Sequence, residues 1–373
     1  MSEELTGTDA WPAVPGTVPA TMRAVVFSEF GDPGVLHVDE VPVPMPGKDE
    51  VLVRVGAVSV GRLLDLTARA GTHPYARFVL PHILGAEHAG TVAAVGPGVD
   101  AAAVGDPVAV FPVISCGECA ACVEGCSEAC PGLQIMGVHQ PGAYAEYTRV
   151  PVTNVHAVPE GLSPATAAGL ALAGPVAQNQ LTQAGVEAGD WVLVQGAASA
   201  LGSLTAGLAE HLGAKVIATS RSAWKRERLV ELGATAAFDP ASDTFVEDVL
   251  ALTGGAGVRV AIDDLGEQRI WARTMAVLAD RGTVVSSGAF LGGRVELDLM
   301  RLYSRCQRVL GVRTGNPDSA RRLWEEVEAG FRPVVDRTFP VAEAARAHRY
   351  LEADSNMGRV ALTATTDDDW RKL

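Results

Sequence analysis

Trp191-Val192-Leu193-Val194-Gln195-Gly196-Ala197-Ala198-Ser199-Ala200-Leu201-Gly202 is the stretch that decides the fold. Residues 191–195 form a short apolar run suited to a buried strand. Small residues follow and end in glycine, after which Leu204, Leu208 and Leu212 recur at four-residue spacing before Gly213. A strand, a turn of small residues and a glycine-terminated helix open a doubly wound sheet. The alternation continues outward. Residues 215–219, 235–238, 258–262, 283–286 and 308–312 read as further strands, with helices expected over 224–232, 245–252, 270–279 and 319–329. Six strands with intervening helices predict an α/β unit built on a parallel six-stranded sheet.

Residues 22–155 read differently. Short β-rich runs such as 50–58 and 90–96 alternate with Gly/Pro/Asp punctuation, for example Gly31-Asp32-Pro33-Gly34, the pattern of a compact β-barrel-type domain. Boundaries are expected at 22–155 for this domain, rejoined by 333–373, and at 156–332 for the doubly wound unit. Residues 1–21, with three prolines, acidic residues and no apolar segment, read as a flexible tail rather than a signal peptide. The chain has 373 residues and a formal charge of −14, a balance that argues against nucleic-acid or membrane partners. A cytoplasmic location is expected.

The small residues Gly196, Ala198, Ser199, Ala200, Leu201 and Gly202 let backbone approach a pyrophosphate at a helix N-terminus. A dinucleotide site that selects NAD places a carboxylate about 20 residues further on, for the ribose 2′-hydroxyl. Here the place reads Thr219-Ser220-Arg221-Ser222, with Lys225 beyond. A hydroxyl and two cations suit a 2′-phosphate, so NADPH is the expected cofactor; the plain alternative makes Arg221 and Lys225 surface charges. Five of six cysteines lie between Cys116 and Cys130. Cys116, Cys119, Cys122 and Cys130, spaced C-x2-C-x2-C-x7-C, suit one structural zinc ion.

This cysteine lobe, the run Gly85-Ala86-Glu87-His88-Ala89-Gly90-Thr91-Val92 and the dinucleotide loop together resemble the medium-chain dehydrogenase/reductase family over nearly all of residues 22–363. The resemblance implies a GroES-like catalytic domain bearing the lobe 116–130, a Rossmann domain, an active site in the cleft between them, and a homodimer formed through the Rossmann domain. On the cofactor side, Leu265, Gly266, Ser287, Gly288, Gly311 and Val312 end successive strands, where dinucleotides bind in such sheets.

The sequence departs from zinc-dependent members at the catalytic ion. Arg62 stands at the cysteine place before Asp65, Ala86 at the histidine place before Glu87, and Ala173-Gly174-Pro175 offers no third ligand. Without a Lewis acid, reduction of a conjugated C=C bond in an enone, quinone or enoyl thioester becomes the expected chemistry. Alternatives are a zinc-independent carbonyl or imine reductase, an alcohol dehydrogenase with a metal site rebuilt around His88, and a non-catalytic NADPH-binding protein. Candidate catalytic residues are Arg62, Asp65, His73, Tyr75 and Glu87.

Overall fold

A computed structural model of the chain describes residues 10–371. The chain forms two compact units: one runs to Leu172 and resumes at Pro333, and the other is Ala173–Arg332.

The first unit contains β1 (Thr21–Phe27), β2 (His37–Pro42), β3 (Glu50–Ser59), α1 (Thr67–Arg69), β4 (His82–Ile83), β5 (Glu87–Val95), β6 (Pro107–Val110), β7 (Val113–Ile114), α2 (Ala120–Val123), β8 (Gln134–Ile135), β9 (Tyr147–Pro151), β10 (Val155–Ala157) and α3 (Pro164–Leu170). Strand β3 is the organising element. Its valines and leucine are buried on both faces, and it pairs antiparallel with β5 and β9. Continuous apolar sequence of this kind marks a strand covered on both sides.

The second unit follows as α4 (Ala173–Ala184), β11 (Trp191–Val194), α5 (Ala200–His211), β12 (Lys215–Thr219), α6 (Ala223–Glu231), β13 (Ala236–Phe238), α7 (Phe245–Leu252), β14 (Val258–Ile262), α8 (Gln268–Val277), β15 (Leu278–Ser286), α9 (Leu299–Ser304), β16 (Arg308–Gly311) and α10 (Pro317–Glu328). Its six parallel strands run in the order β13-β12-β11-β14-β15-β16. That order is the doubly wound Rossmann arrangement, with a switch point between β11 and β14. Leu193, Ile217, Phe245, Val258, Trp271 and Val284 fill its core. The chain then returns to the first unit through β17 (Val335–Pro340), α11 (Ala344–Glu352) and β18 (Arg359–Thr363), and β18 pairs with β3.

The α/β class, the six strands and the helix positions match the sequence expectation to within a few residues. Two boundaries differ. Helix α3 packs against β3 and β5, so the first unit ends after Leu172 and not near residue 155. Ser163 caps this helix by accepting from Thr166 N, and Pro164 starts it. The expected flexible tail is also corrected where it is described. The Trp11 indole donates to Leu162 O at 3.1 Å, and Pro12 is buried. A Cβ on Gly56 would lie 3.0 Å from both Pro12 and Pro164 side chains, so glycine there admits the docked segment. The rest of the expected tail, residues 1–9, lies outside the described residues. No helix among the described residues is long and apolar enough to cross a membrane.

Asn154 anchors the approach to the cysteine lobe. Its buried side-chain amide donates to Phe111 O at 2.7 Å and Val113 O at 2.8 Å. Asn154→Ala leaves both carbonyls unpaired and is expected to lower unfolding free energy by about 2 kcal/mol. Urea denaturation checks this; a loss below about 0.5 kcal/mol would show that the two bonds carry no net stability.

Candidate functional site

The four lobe cysteines converge. Cys116 and Cys130 sulfurs are 3.5 Å apart, Cys119 and Cys122 3.5 Å, and Cys116 and Cys122 3.9 Å. Tetrahedral thiolate coordination at a metal–sulfur distance of about 2.3 Å requires sulfurs about 3.8 Å apart, so the donor set fits a closed ion site. Among the described residues this is the one convergent group of three or more His, Cys, Asp or Glu donors. Cys126 and Cys306 stand outside it and are exposed.

The dinucleotide edge is built in the second unit. After β11 the chain turns at Gly196, whose φ of +65° is a left-handed conformation suited to glycine. Ser199 caps α5, accepting from Gly202 N at 3.0 Å. A Cβ on Gly202 would come within 2.4 Å of Gly196 O, so only glycine lets the helix start this close to the strand. The turn is locked from beneath. Gly196 N donates to the Thr219 hydroxyl, Thr219 donates to Gln195 Oε1, and Gln195 Nε2 donates to Thr274, which reaches Asp263 at 3.3 Å. Asp263 in turn accepts from Leu265 N and Gly266 N. Three strand ends are thereby fixed by one chain of buried hydrogen bonds.

At the end of β12, Ser220 is half-buried, Arg221 is exposed and Lys225 is buried with its ammonium beside the exposed Trp224 ring. Sequence reasoning missed Arg226. Its guanidinium donates to Ser220 O and Arg221 O at 2.8 and 2.9 Å and pairs with Asp239, so it shapes the loop that carries the other candidates. Ser287 N donates to Asp264, Val312 N donates to Ser286 O, and Gly288 and Gly311 lie at the ends of β15 and β16.

In the first unit Asp65 and Glu87 come together around Gly61. Asp65 accepts from Gly61 N at 2.6 Å and from Gly85 N at 3.0 Å. Burial pushes its acid up to about 7, against the pull of those two N–H groups and of Arg359. Glu87 forms a buried ion pair with Arg359 of β18. Burial draws Arg359 down to about 10, with Asp65 opposing. His88 is fully buried and donates from Nδ1 to Ala86 O at 2.9 Å; burial takes it down to about 4. His88 therefore belongs to the packed interior.

The other candidates are placed apart from this cluster. Arg62 is bound by Asp354 at 3.1 Å and Asn356 at 3.2 Å, so its guanidinium is held by the segment before β18 and is not turned to the Asp65–Glu87 pair. Tyr75 is 83% exposed, which removes it from any enclosed site in the first unit. His73 is more informative. Its Nδ1 accepts from Ala76 N at 3.0 Å and Tyr75 N at 3.3 Å, which puts the proton of the neutral ring on Nε2. That Nε2 is buried without a hydrogen-bond partner among the described residues. Burial lowers the pKa of the ring, with His139 adding to the effect.

A doubly wound dinucleotide unit inserted in a β-rich unit that carries a four-thiolate lobe defines an oxidoreductase class. Residues 47–160 match the family model of the alcohol dehydrogenase GroES-like domain, and residues 200–329 that of zinc-binding dehydrogenases. The chain belongs to the medium-chain dehydrogenase/reductase superfamily, whose members use NAD or NADP. It is 34% identical to the L-threonine 3-dehydrogenase of Pyrococcus furiosus, over 77% of this chain and 80% of that one. It is 31% identical to a 2-haloacrylate reductase of a Burkholderia species, over 91% and 98% of the two chains. Among solved structures, an NAD-dependent alcohol dehydrogenase superposes with a TM-score of 0.85 at 35% identity, covering 92% of this chain and all of that one.

Two outcomes follow from this geometry. Metal analysis of protein purified without added metal should find one zinc per chain, with two thiols, Cys126 and Cys306, reacting in the native state and six after denaturation with chelator. Two zinc ions per chain would contradict the ligand reading of the first unit. Stability should rise from pH 4 to about 6.5. His88, His156 and His348 are pushed by burial to about 4, 4 and 3. The unfolded chain therefore binds more protons there, and stability grows as pH rises. Asp65, at about 7 when folded, and Asp263 and Asp264, also raised by burial, act with the opposite sign, but His73 and His82 are lowered as well, which sets five histidines against three acids. Thermal melts across this range test the sign; a midpoint that falls between pH 4 and 6.5 would contradict it.

Proposed function

We propose that this chain is an NADPH-dependent reductase of conjugated C=C bonds, acting on an enone, quinone or enoyl thioester without a catalytic metal. The observation that carries the reading is the state of the donors around Gly61. The family places for a catalytic ion hold Arg62, Ala86 and Gly174, none a ligand, and the nearby acids are already consumed. Asp65 is held by Gly61 N and Gly85 N, Glu87 by Arg359, and His88 by Ala86 O. A catalytic zinc does not fit this set.

NADPH, when bound, supplies a hydride to the β-carbon of the acceptor. The chain's own residues do the rest. The N-terminus of α5 would hold the pyrophosphate, and Ser220 and Arg221, on the loop shaped by Arg226, would hold the 2′-phosphate. Charge then develops on the acceptor oxygen as an enolate. His73 is the group we assign to it, because its Nε2–H is a neutral donor with no acceptor of its own. The exposed apolar residues Leu299, Met300, Tyr303 and Val309, on α9 and the edge strand β16, support a homodimer through the second unit. The acidic composition suits the cytoplasm.

The relatives include both alcohol dehydrogenases and a reductase of an activated acrylate, so acceptor choice decides the reading. Purified enzyme should oxidise NADPH with cyclohexenone, benzoquinone or crotonyl-CoA and, with cyclohexenone and crotonyl-CoA, should place deuterium from 4-deuterated NADPH on the β-carbon. Simple ketones should react at least about a hundredfold more slowly, the worth of the missing Lewis acid. NADH should be poorer than NADPH by a similar factor, for want of the 2′-phosphate contacts. Faster reduction of ketones than enones would favour a carbonyl reductase. Tight NADPH binding with no hydride transfer to any acceptor would favour a binding protein.

A further inference from the structure

We infer that Gln180 is a positioning residue that couples the phosphate-binding helix α5 to the loops on the nicotinamide side of the sheet. The inference rests on the reading of the second unit as a dinucleotide site. Gln180 lies on α4 and is wholly buried. A primary amide in such a place costs stability unless each of its polar atoms is engaged. All are. Nε2 donates to Asp264 Oδ2 at 2.8 Å and to Ser287 Oγ at 2.9 Å. Oε1 accepts from the Thr205 hydroxyl at 3.0 Å, a hydroxyl also shared with Leu201 O.

These partners come from three elements. Thr205 sits one turn into α5, whose N-terminus would hold the pyrophosphate. Asp264 and Ser287 follow β14 and β15. In a sheet of this order, β14–β16 form the second mononucleotide half, and ligands bind beyond the strands' carboxyl ends. Asp264 Oδ1 also accepts from Ser287 N at 2.5 Å, Asp264 O accepts from Phe290 N, and Leu265 O accepts from Leu291 N. The two loops thus lie against each other, with Gly288 so close that a Cβ would stand 3.1 Å from Asp264 O. Gln180 is the side chain that ties this pair of loops to α5. Neither α5 nor the loops need Gln180 to exist; their mutual spacing does. A dinucleotide spans that spacing, whereas its adenosine half does not.

The test uses the full chain and calorimetric titration with two probes, NADPH and 2′,5′-ADP. Gln180→Leu should weaken NADPH by about tenfold or more, the worth of hydrogen bonds to a charged group. Its affinity for 2′,5′-ADP should stay within about twofold of the wild type. The exchange Gln180→Glu with Asp264→Asn restores the same links with donors and acceptors reversed, the new carboxylate accepting from Thr205, from the new amide and from the Ser287 hydroxyl. It should recover most NADPH affinity, and it carries the test if Gln180→Leu fails to fold. Equal loss for both probes, no loss for either, or a double variant no better than Gln180→Glu alone overturns the inference. A wild type that prefers NADH overturns only the 2′-phosphate reading, because the same ratio is then measured with NADH and ADP. A wild type that binds no dinucleotide removes both.

Discussion

The buried ion pair between Arg359 and Glu87 is the constraint on which the first unit is arranged. A carboxylate at that depth is tolerable only with a counter-charge, and removal of one partner of such a pair costs about 3–5 kcal/mol. Arg359 also pulls on Asp65, and its stem packs beneath Gly169 of α3, within 3.5 Å of where a Cβ would stand. One side chain on the return strand β18 therefore compensates an acid on β5, influences a second acid beside Gly61 and supports a helix. The interest of the site lies in this self-sufficiency. Its acids are held within the protein, Asp65 by two backbone N–H groups and Glu87 by Arg359.

The second unit uses a comparable logic with hydrogen bonds in place of charge. Asp263 and Asp264 are adjacent, and burial raises both acids above their ordinary range. They face different partners. Asp263 closes the loop 265–266 and meets Thr274 of α8, while Asp264 meets Gln180 and Ser287. Loops set by such fixed acceptors keep their spacing better than solvent-exposed turns do.

Local pattern made the fold legible, and distance in sequence hid much of the site. Strands such as Val258–Ile262 and helix Phe245–Leu252 declare themselves through period and composition, and Gly202 through its place between strand and helix. The four cysteines were readable because their spacing is short. Arg359 was not, since nothing in its neighbours announces a partner on β5. Arg62 and Tyr75 were plausible by alignment of place, yet side-chain direction assigned one to Asp354 and the other to solvent. Helix α4 carried a signal that went unread: Gln178-Asn179-Gln180 is a polar run that follows small and apolar residues, and all three are buried. Polar side chains in that setting imply interior partners. The docked tail had its own signal in Trp11 and Pro12, large and apolar residues in a segment that composition alone marked as loose.

The discontinuity of the first unit also governs the order in which a growing chain can mature. When Leu172 is made, the strand carrying Glu87 and the helical turn carrying Asp65 exist, but their arginine is still to be synthesised. The continuous segment 173–332 has its own core and all six strands of its sheet, so it can complete itself first as translation proceeds. Only when β18 arrives does the earlier half acquire the charge that its interior requires. The nucleotide module is thus made ready before the module that holds the acids, and the last strand to appear acts as the keystone of the first domain begun.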